Sequence, residues 1–83
     1  MSSIEDREFV VRYLIDRNIE KARNKGIEIC CVDTAYKRLE KHMENIGKEL
    51  SKGKTDENLS NIQQELIKVA TLSIMLSIDA CQM

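Results

Sequence analysis

The sequence predicts an all-α protein of three helices, and three observations favour this fold class. Apolar residues recur at spacings of three and four along most of the chain, as on one face of an α-helix. The 83 residues include no Pro and only three Gly, so turn formers are too scarce for a β-sandwich or barrel. Gly26 and Gly53 divide the chain into three such segments. A chain of this length is expected to form a single helical domain over residues 1–83.

The first helix is predicted at about residues 4–25. Ser2 and Glu5 have the spacing of a capping box at its start. Apolar residues then follow a helical period, and basic side chains crowd the last turn, where they complement the negative end of the helix dipole. Gly26 is expected to end the helix.

The second helix is predicted at about residues 28–52 and has the clearest periodicity. Its beginning is left open, because the run 27–32 is partly β-branched and Asp33 or Thr34 could cap a later start. Gly53 is expected to end it. Seven residues form a heptad-like seam that predicts packing against a nearly parallel or antiparallel neighbour: Ile29, Val32, Tyr36, Leu39, Met43, Ile46 and Leu50.

The third helix is predicted at about residues 56–81, with Thr55 or Asp56 as its cap. The short polar connection 53–56 predicts that the second and third helices form an antiparallel hairpin. This helix carries two apolar stripes, and a helix that is apolar on two faces must be covered on two sides. The second stripe predicts a helical-bundle homo-oligomer with Ile67, Ala70, Ile74 and Ile78 at the interface. A monomeric three-helix bundle with a central third helix is the alternative.

Charge and cysteine usage exclude several classes of function. The 13 basic and 14 acidic residues are interleaved and give a net charge of −1, which disfavours DNA or RNA as a partner. No segment is long and uncharged enough to span a bilayer, so no membrane partner is expected. The three cysteines, Cys30, Cys31 and Cys81, are expected to be buried free thiols in a reducing compartment. A cytoplasmic location is therefore predicted.

Carboxylate placement is the main chemical signal. Glu44 and Glu65 lie at roughly equal distances from the turn between the second and third helices, so they are candidates to face each other. Carboxylates that converge between helices can hold Mg²⁺, which prefers oxygen ligands and phosphate partners. The alternative is that both are solvated side chains that flank the seam.

Three segments resemble one enzyme family. Residues 61–70, which read NIQQELIKVA, resemble a helix of MazG-like nucleotide pyrophosphohydrolases. Residues 43–48, MENIGK, resemble the acidic element that precedes it, and residues 16–21 with Gly26 are similar to the opening of the family's sequence. The resemblance implies an all-α oligomer, of a type found in phages and other mobile elements, that cleaves nucleoside triphosphates with Mg²⁺.

This resemblance assigns Glu44 and Glu65 to the metal but also departs from the family. Asn45, Lys48 and Lys68 stand where many members have further acids. An ammonium among metal ligands repels Mg²⁺ and favours a bound phosphate. The sequence therefore predicts nucleotide binding with doubtful hydrolase activity.

A second resemblance concerns phage anti-defence proteins that sequester cyclic-nucleotide immune signals. Residues 64–74 are similar in polarity to the final helix of these oligomeric helical proteins. Storage of a phosphodiester needs cations and an aromatic surface, for which Arg12, Tyr13, Lys48 and Lys68 are the candidates. A third class stays open: a protein-interaction module, such as an inhibitor that binds a host defence protein.

Overall fold

The computed structural model describes residues 3–29 and 31–80, and these residues form three helices and no strand. Helix α1 spans Ile4–Asn24, α2 spans Val32–Ser51 and α3 spans Asp56–Ala80. The all-α fold class is confirmed. None of these helices is long and apolar enough to cross a membrane.

Local signals set most of the helix ends. Ser3 caps α1, because its Oγ accepts a hydrogen bond of 3.1 Å from the Asp6 N–H. The cap is therefore one residue later than expected, and Ser2 lies outside the described residues. Thr55 caps α3 as predicted, since its Oγ1 accepts from the Asn58 N–H at 3.2 Å. Gly26 takes a positive φ of +74°, which allows the chain to leave α1.

The predicted start of α2 at residue 28 is wrong, and the alternative of a later start is confirmed. The helix begins at Val32, and Cys31 precedes it with extended backbone angles. Asp33 and Thr34 lie within the first turn instead of capping it. Cys31 is also exposed rather than buried, because it belongs to the connection between α1 and α2 and not to a packed helix face. Cys30 and Cys81 lie outside the described residues.

An ion pair holds that connection, and we call it the Arg23–Asp79 clamp. The Arg23 guanidinium donates to both carboxylate oxygens of Asp79, at 2.8 and 3.0 Å, and to the carbonyl oxygen of Ile27 at 2.9 Å. Asp79 also accepts a hydrogen bond of 2.6 Å from the Ile29 N–H. This bond occupies the amide of Ile29 and holds residues 27–29 in a non-helical path. The Arg23 bonds, followed by that of Ile29, lower the pKa of Asp79 below its ordinary value.

The core lies beside the clamp, where the three helices meet. Its buried members are Ile29, Ala35, Leu72 and Met75, and Ala35 and Met75 are only 2% and 3% exposed. Half-buried apolar residues surround them: Ile19, Ala22, Leu39 and Leu76. α1 and α2 each pack on α3, and within the described residues they do not pack on each other.

The predicted seam of α2 is only partly covered. Ile29 and Ile46 are buried, whereas Tyr36 and Met43 are 61% and 55% exposed. Two α2 residues of the seam, Leu39 and Ile46, are buried or half-buried, and so are three residues that each precede a seam residue by one position: Ala35, His42 and Glu49. Asn45 is half-buried as well. The apolar arc of α2 is thus wider than the part that α3 covers, and polar residues occupy three of the half-buried positions.

Replacing Asp79 with Asn should lower the free energy of unfolding, because the amide lacks the charge that pairs with Arg23. Asp79→Ala should lower it further, since it also removes the acceptor of the Ile29 N–H. Urea unfolding measures the loss, and hydrogen exchange of the Ile29 amide should accelerate by about tenfold or more. The control is Glu40→Gln, an exposed site on α2. Parent stability with a protected Ile29 amide in Asp79→Ala would contradict this role of the clamp.

Candidate functional site

A polar cleft of about 240 Å³ lies between the second half of α2 and the first half of α3. All of its lining residues are polar: Asn45, Lys48, Glu49, Lys52, Asn61, Gln64 and Glu65. Two of them, Glu49 and Glu65, are half-buried carboxylates. The cleft therefore places the carboxylates of Glu49 and Glu65 next to amide and ammonium groups.

Glu49 is held by side chains from the start of α3. The buried Asn58 donates from Nδ2 at 2.7 Å and Asn61 donates at 3.4 Å, while Nζ of Lys52, the residue after α2, lies 3.2 Å away. Asn58 is itself oriented by Thr55, whose hydroxyl donates to its Oδ1 at 2.5 Å. The hydrogen bonds from Asn58 and then Lys52 outweigh burial and lower the pKa of Glu49.

Glu65 contacts α2 through the only histidine of the chain. His42 Nδ1 lies 2.7 Å from Glu65 Oε2, and Lys68 Nζ lies 3.6 Å from Oε1. Burial works to raise the pKa of Glu65, but the hydrogen bond with His42 and the charge of Lys68 outweigh it, so the pKa is lowered. An ionised Glu65 only accepts hydrogen bonds, so the imidazole Nδ1–H is the donor.

The cleft uses its carboxylates to fasten the two helices. Both Glu49 and Glu65 already accept bonds from side chains of the opposite helix, which occupies oxygen lone pairs that a cation would need. Among residues 3–29 and 31–80, no group of three or more His, Cys, Asp or Glu side chains is placed to hold a metal ion. Glu49 and Glu65 both take part in hydrogen bonds and ion pairs within the protein.

Three of the predicted site residues come together. Lys48 and Glu65 line the same cleft, and Lys68 contacts Glu65 from its other side. Glu44, the other predicted metal ligand, is exposed. It is two residues from His42, which contacts Glu65, and two residues correspond to about 200° around a helix. Glu44 therefore points away from α3.

Arg12 and Tyr13 lie on α1, apart from this cluster. Arg12 is exposed and lies 4.0 Å from Glu8, an ion pair at the limit of contact. Tyr13 is half exposed, stacks on Phe9 with ring centroids 6.5 Å apart and accepts a hydrogen bond from Arg17. Neither residue lines the cleft or the pocket that Lys68 lines.

The predicted interface stripe of α3 is exposed over part of its length. Ile74 and Ile78 are 40% and 49% exposed, whereas Ile67 and Ala70 are half-buried. Its exposed portion therefore consists of two large side chains near the end of α3.

Sequence reasoning missed His42, Glu49 and Asn58 as contact residues. The signal was present in the second register of α2, in which His42 and Glu49 fall in line with Ala35 and Ile46. Polar residues do not reveal such a register by hydrophobicity, so apolar spacing alone favours Tyr36, Met43 and Leu50, which lie one position further along. Comparison with protein families, curated proteins and solved structures found no match for this chain.

Three carboxylates with lowered pKa values predict a loss of stability in acid. Because the pKa values of Glu49, Glu65 and Asp79 are lower in the folded protein, the unfolded chain binds more protons as the pH falls. Their stabilisation is present above the ordinary carboxyl range and should be lost between about pH 5 and pH 3. Urea unfolding at a series of pH values should show this decline.

Glu49→Gln and Glu65→Gln should each make that decline shallower, and the exposed Glu40→Gln should leave it unchanged. An equally steep decline in a protein that carries Glu49→Gln, Glu65→Gln and Asp79→Asn together would show that other groups cause it.

Proposed function

We propose that this protein is a binding protein that works as a homo-oligomer, in which helices α2 and α3 form an antiparallel hairpin. One observation supports this proposal above the others: a row of apolar side chains is exposed along both helices. We call it the apolar face, and its members are 46% to 61% exposed: Val32, Tyr36, Met43, Leu50, Leu59 and Leu66. Monomeric soluble proteins rarely expose large contiguous apolar surfaces.

The two halves of the apolar face lie on the same side of the hairpin. The contacts His42 with Glu65 and Glu49 with Asn58 run in opposite sequence directions along the two helices. Most residues of the apolar face directly follow a residue that contacts the opposite helix. One residue corresponds to about 100° around a helix, so the side chains of the face point about 100° away from the opposite helix. Met43 follows His42, and Leu66 follows Glu65. When two helices are antiparallel, this rotation of about 100° places the exposed apolar side chains of both helices on the same side of the pair.

A second copy of the chain is the partner that this face fits best. The face follows almost the full length of α2, which at 20 residues is about 30 Å long. A two-fold interface requires only that one patch be complementary to itself, and two-fold dimers are the commonest soluble assemblies. Two apolar faces in contact would also enlarge a core that has only five buried apolar side chains among the described residues.

The apolar face is also a better interface than the stripe predicted from the sequence. Six large side chains are exposed on the face, whereas only Ile74 and Ile78 are exposed on the predicted stripe. Ile67 and Ala70 of that stripe are already half-buried within the protomer.

Light scattering should give at least a dimer at micromolar concentration. Met43→Lys should weaken assembly by about tenfold or more, because an unpaired ammonium in an apolar interface is strongly destabilising. Ile74→Lys, a matched change on the other stripe, should have little effect. Both sites are exposed in the protomer, so neither change should prevent folding.

If Ile74→Lys weakened assembly more than Met43→Lys, the interface would be the predicted stripe of α3. A parent protein that is monomeric at these concentrations would overturn self-association and leave the face for a different protein, such as a host defence protein.

Nucleotide binding is a second candidate, and the gathering of Lys48 and Lys68 around Glu65 supports it. Lys48 is exposed and has no ion pair among the described residues. The amides of Asn45, Asn61 and Gln64 in the same cleft can bond a base or a ribose.

Calorimetry with ATP and with cyclic di-AMP, each with and without Mg²⁺, tests this candidate. Binding of a cyclic dinucleotide without metal would support storage, whereas Mg²⁺-dependent release of pyrophosphate would support hydrolysis. Lys48→Gln with Lys68→Gln should weaken binding by about tenfold or more, because each ammonium gives a charge-assisted bond to phosphate. Lys41→Gln is the control, at an exposed site of α2 outside the cleft. Absence of binding by every nucleotide would contradict this function.

A further inference from the structure

A groove of about 330 Å³ lies between the end of α1, the connection that follows it, the middle of α2 and the second half of α3. It exists because α1 and α2 both pack on α3 without packing on each other. Its floor is apolar and continuous with the core: Ala22, Ile27, Ile29, Leu72 and Met75. A volume of this size is at the lower end of the range for small-molecule sites, about 300–1,000 Å³.

The rim of the groove is polar and carries positive charge. Arg38 and Lys68 stand on it together with the imidazole of His42, and Asn18 and Thr71 complete it. Among the described residues no carboxylate lines the groove. Glu65 contacts His42 and Lys68 but lines the separate cleft, so the groove itself presents donors and cations.

Arg38 and Lys68 are both able to reach a ligand. Arg38 is exposed and has no ion pair among the described residues, although it also lines a neighbouring hollow with Glu28. Its planar guanidinium can bind a carboxylate, sulfonate or phosphate through two hydrogen bonds. The Lys68 side chain is 55% exposed and its 3.6 Å contact with Glu65 is a surface pair, which contributes little and can be exchanged for a ligand.

From this charge complementarity we infer that the groove binds an amphipathic organic anion. The apolar body of the ligand would cover the floor formed by Ile29, Leu72 and their neighbours, and its anionic group would meet Arg38 and Lys68 at the rim. This site is independent of the proposed self-association. Arg38 comes two residues after Tyr36, which is about 200° around the helix, so it lies on the opposite flank of α2 from the apolar face.

Two fluorescent dyes test this inference. Anilinonaphthalene sulfonate has an aromatic body and a sulfonate, whereas phenylnaphthylamine has the same rings without the charge. The sulfonate dye should bind at least about tenfold more tightly, since charge-assisted bonds add to apolar burial. Arg38→Gln and Lys68→Gln should each weaken its binding several-fold, and Lys41→Gln should not.

The variant Met43→Lys distinguishes binding of the dye in the groove from binding at the apolar face. It should leave binding of the sulfonate dye unchanged even where it disrupts assembly, so the two proposals fail independently. Loss of dye binding in Met43→Lys, equal binding of both dyes, or parent affinity in both Arg38→Gln and Lys68→Gln would each overturn the inference. If only decanoate displaces the dye, the ligand is a carboxylate. If only phenyl phosphate displaces it, the ligand is a phosphate. If neither displaces it, the proposed site is overturned.

Discussion

Arg23 and Asp79 pair across the ends of α1 and α3, and the connection that leads into α2 and the core beside it depend on this contact. The carboxylate of Asp79 lies in the last turn of α3, near the negative end of the helix dipole, where an unpaired anion is unfavourable. The Arg23 guanidinium supplies the compensating charge and also binds the connection through Ile27. Because Asp79 bonds the Ile29 N–H as well, it determines where α2 can begin. The core of Ile29, Ala35, Leu72 and Met75 then forms beside this point.

Farther from the clamp, polar contacts replace apolar burial between α2 and α3. His42 with Glu65 and Glu49 with Asn58 set the register of the two helices, because hydrogen bonds are directional and buried carboxylates need partners. These contacts cover little apolar surface. The side chains that directly follow these contact residues therefore remain exposed on both helices. The apolar face is exposed because polar residues, and not these apolar ones, lie between α2 and α3.

The two flanks of α2 consequently differ in chemistry. One flank carries Tyr36 and Met43 and is suited to another apolar surface, while the other carries Arg38 and lines a groove with a cationic rim. The carboxylates of Glu49 and Glu65 lie between the two helices and accept hydrogen bonds that join them. The resemblance to MazG-like enzymes and to cyclic-nucleotide sponges remains a prediction.

The sequence by itself determined the helices and most of their ends, because these depend on local contacts. Apolar spacing, the positive φ available to Gly26 and the hydroxyl cap of Thr55 act within a few residues. Only the tertiary structure decided the rest. The start of α2 depends on Asp79, which is about 50 residues away in the sequence. Glu65 pairs with His42 because α3 packs on the side of α2 that carries His42 and not on the side that carries Met43. Two registers of α2 share the same helical period, and only packing against another helix can choose between them.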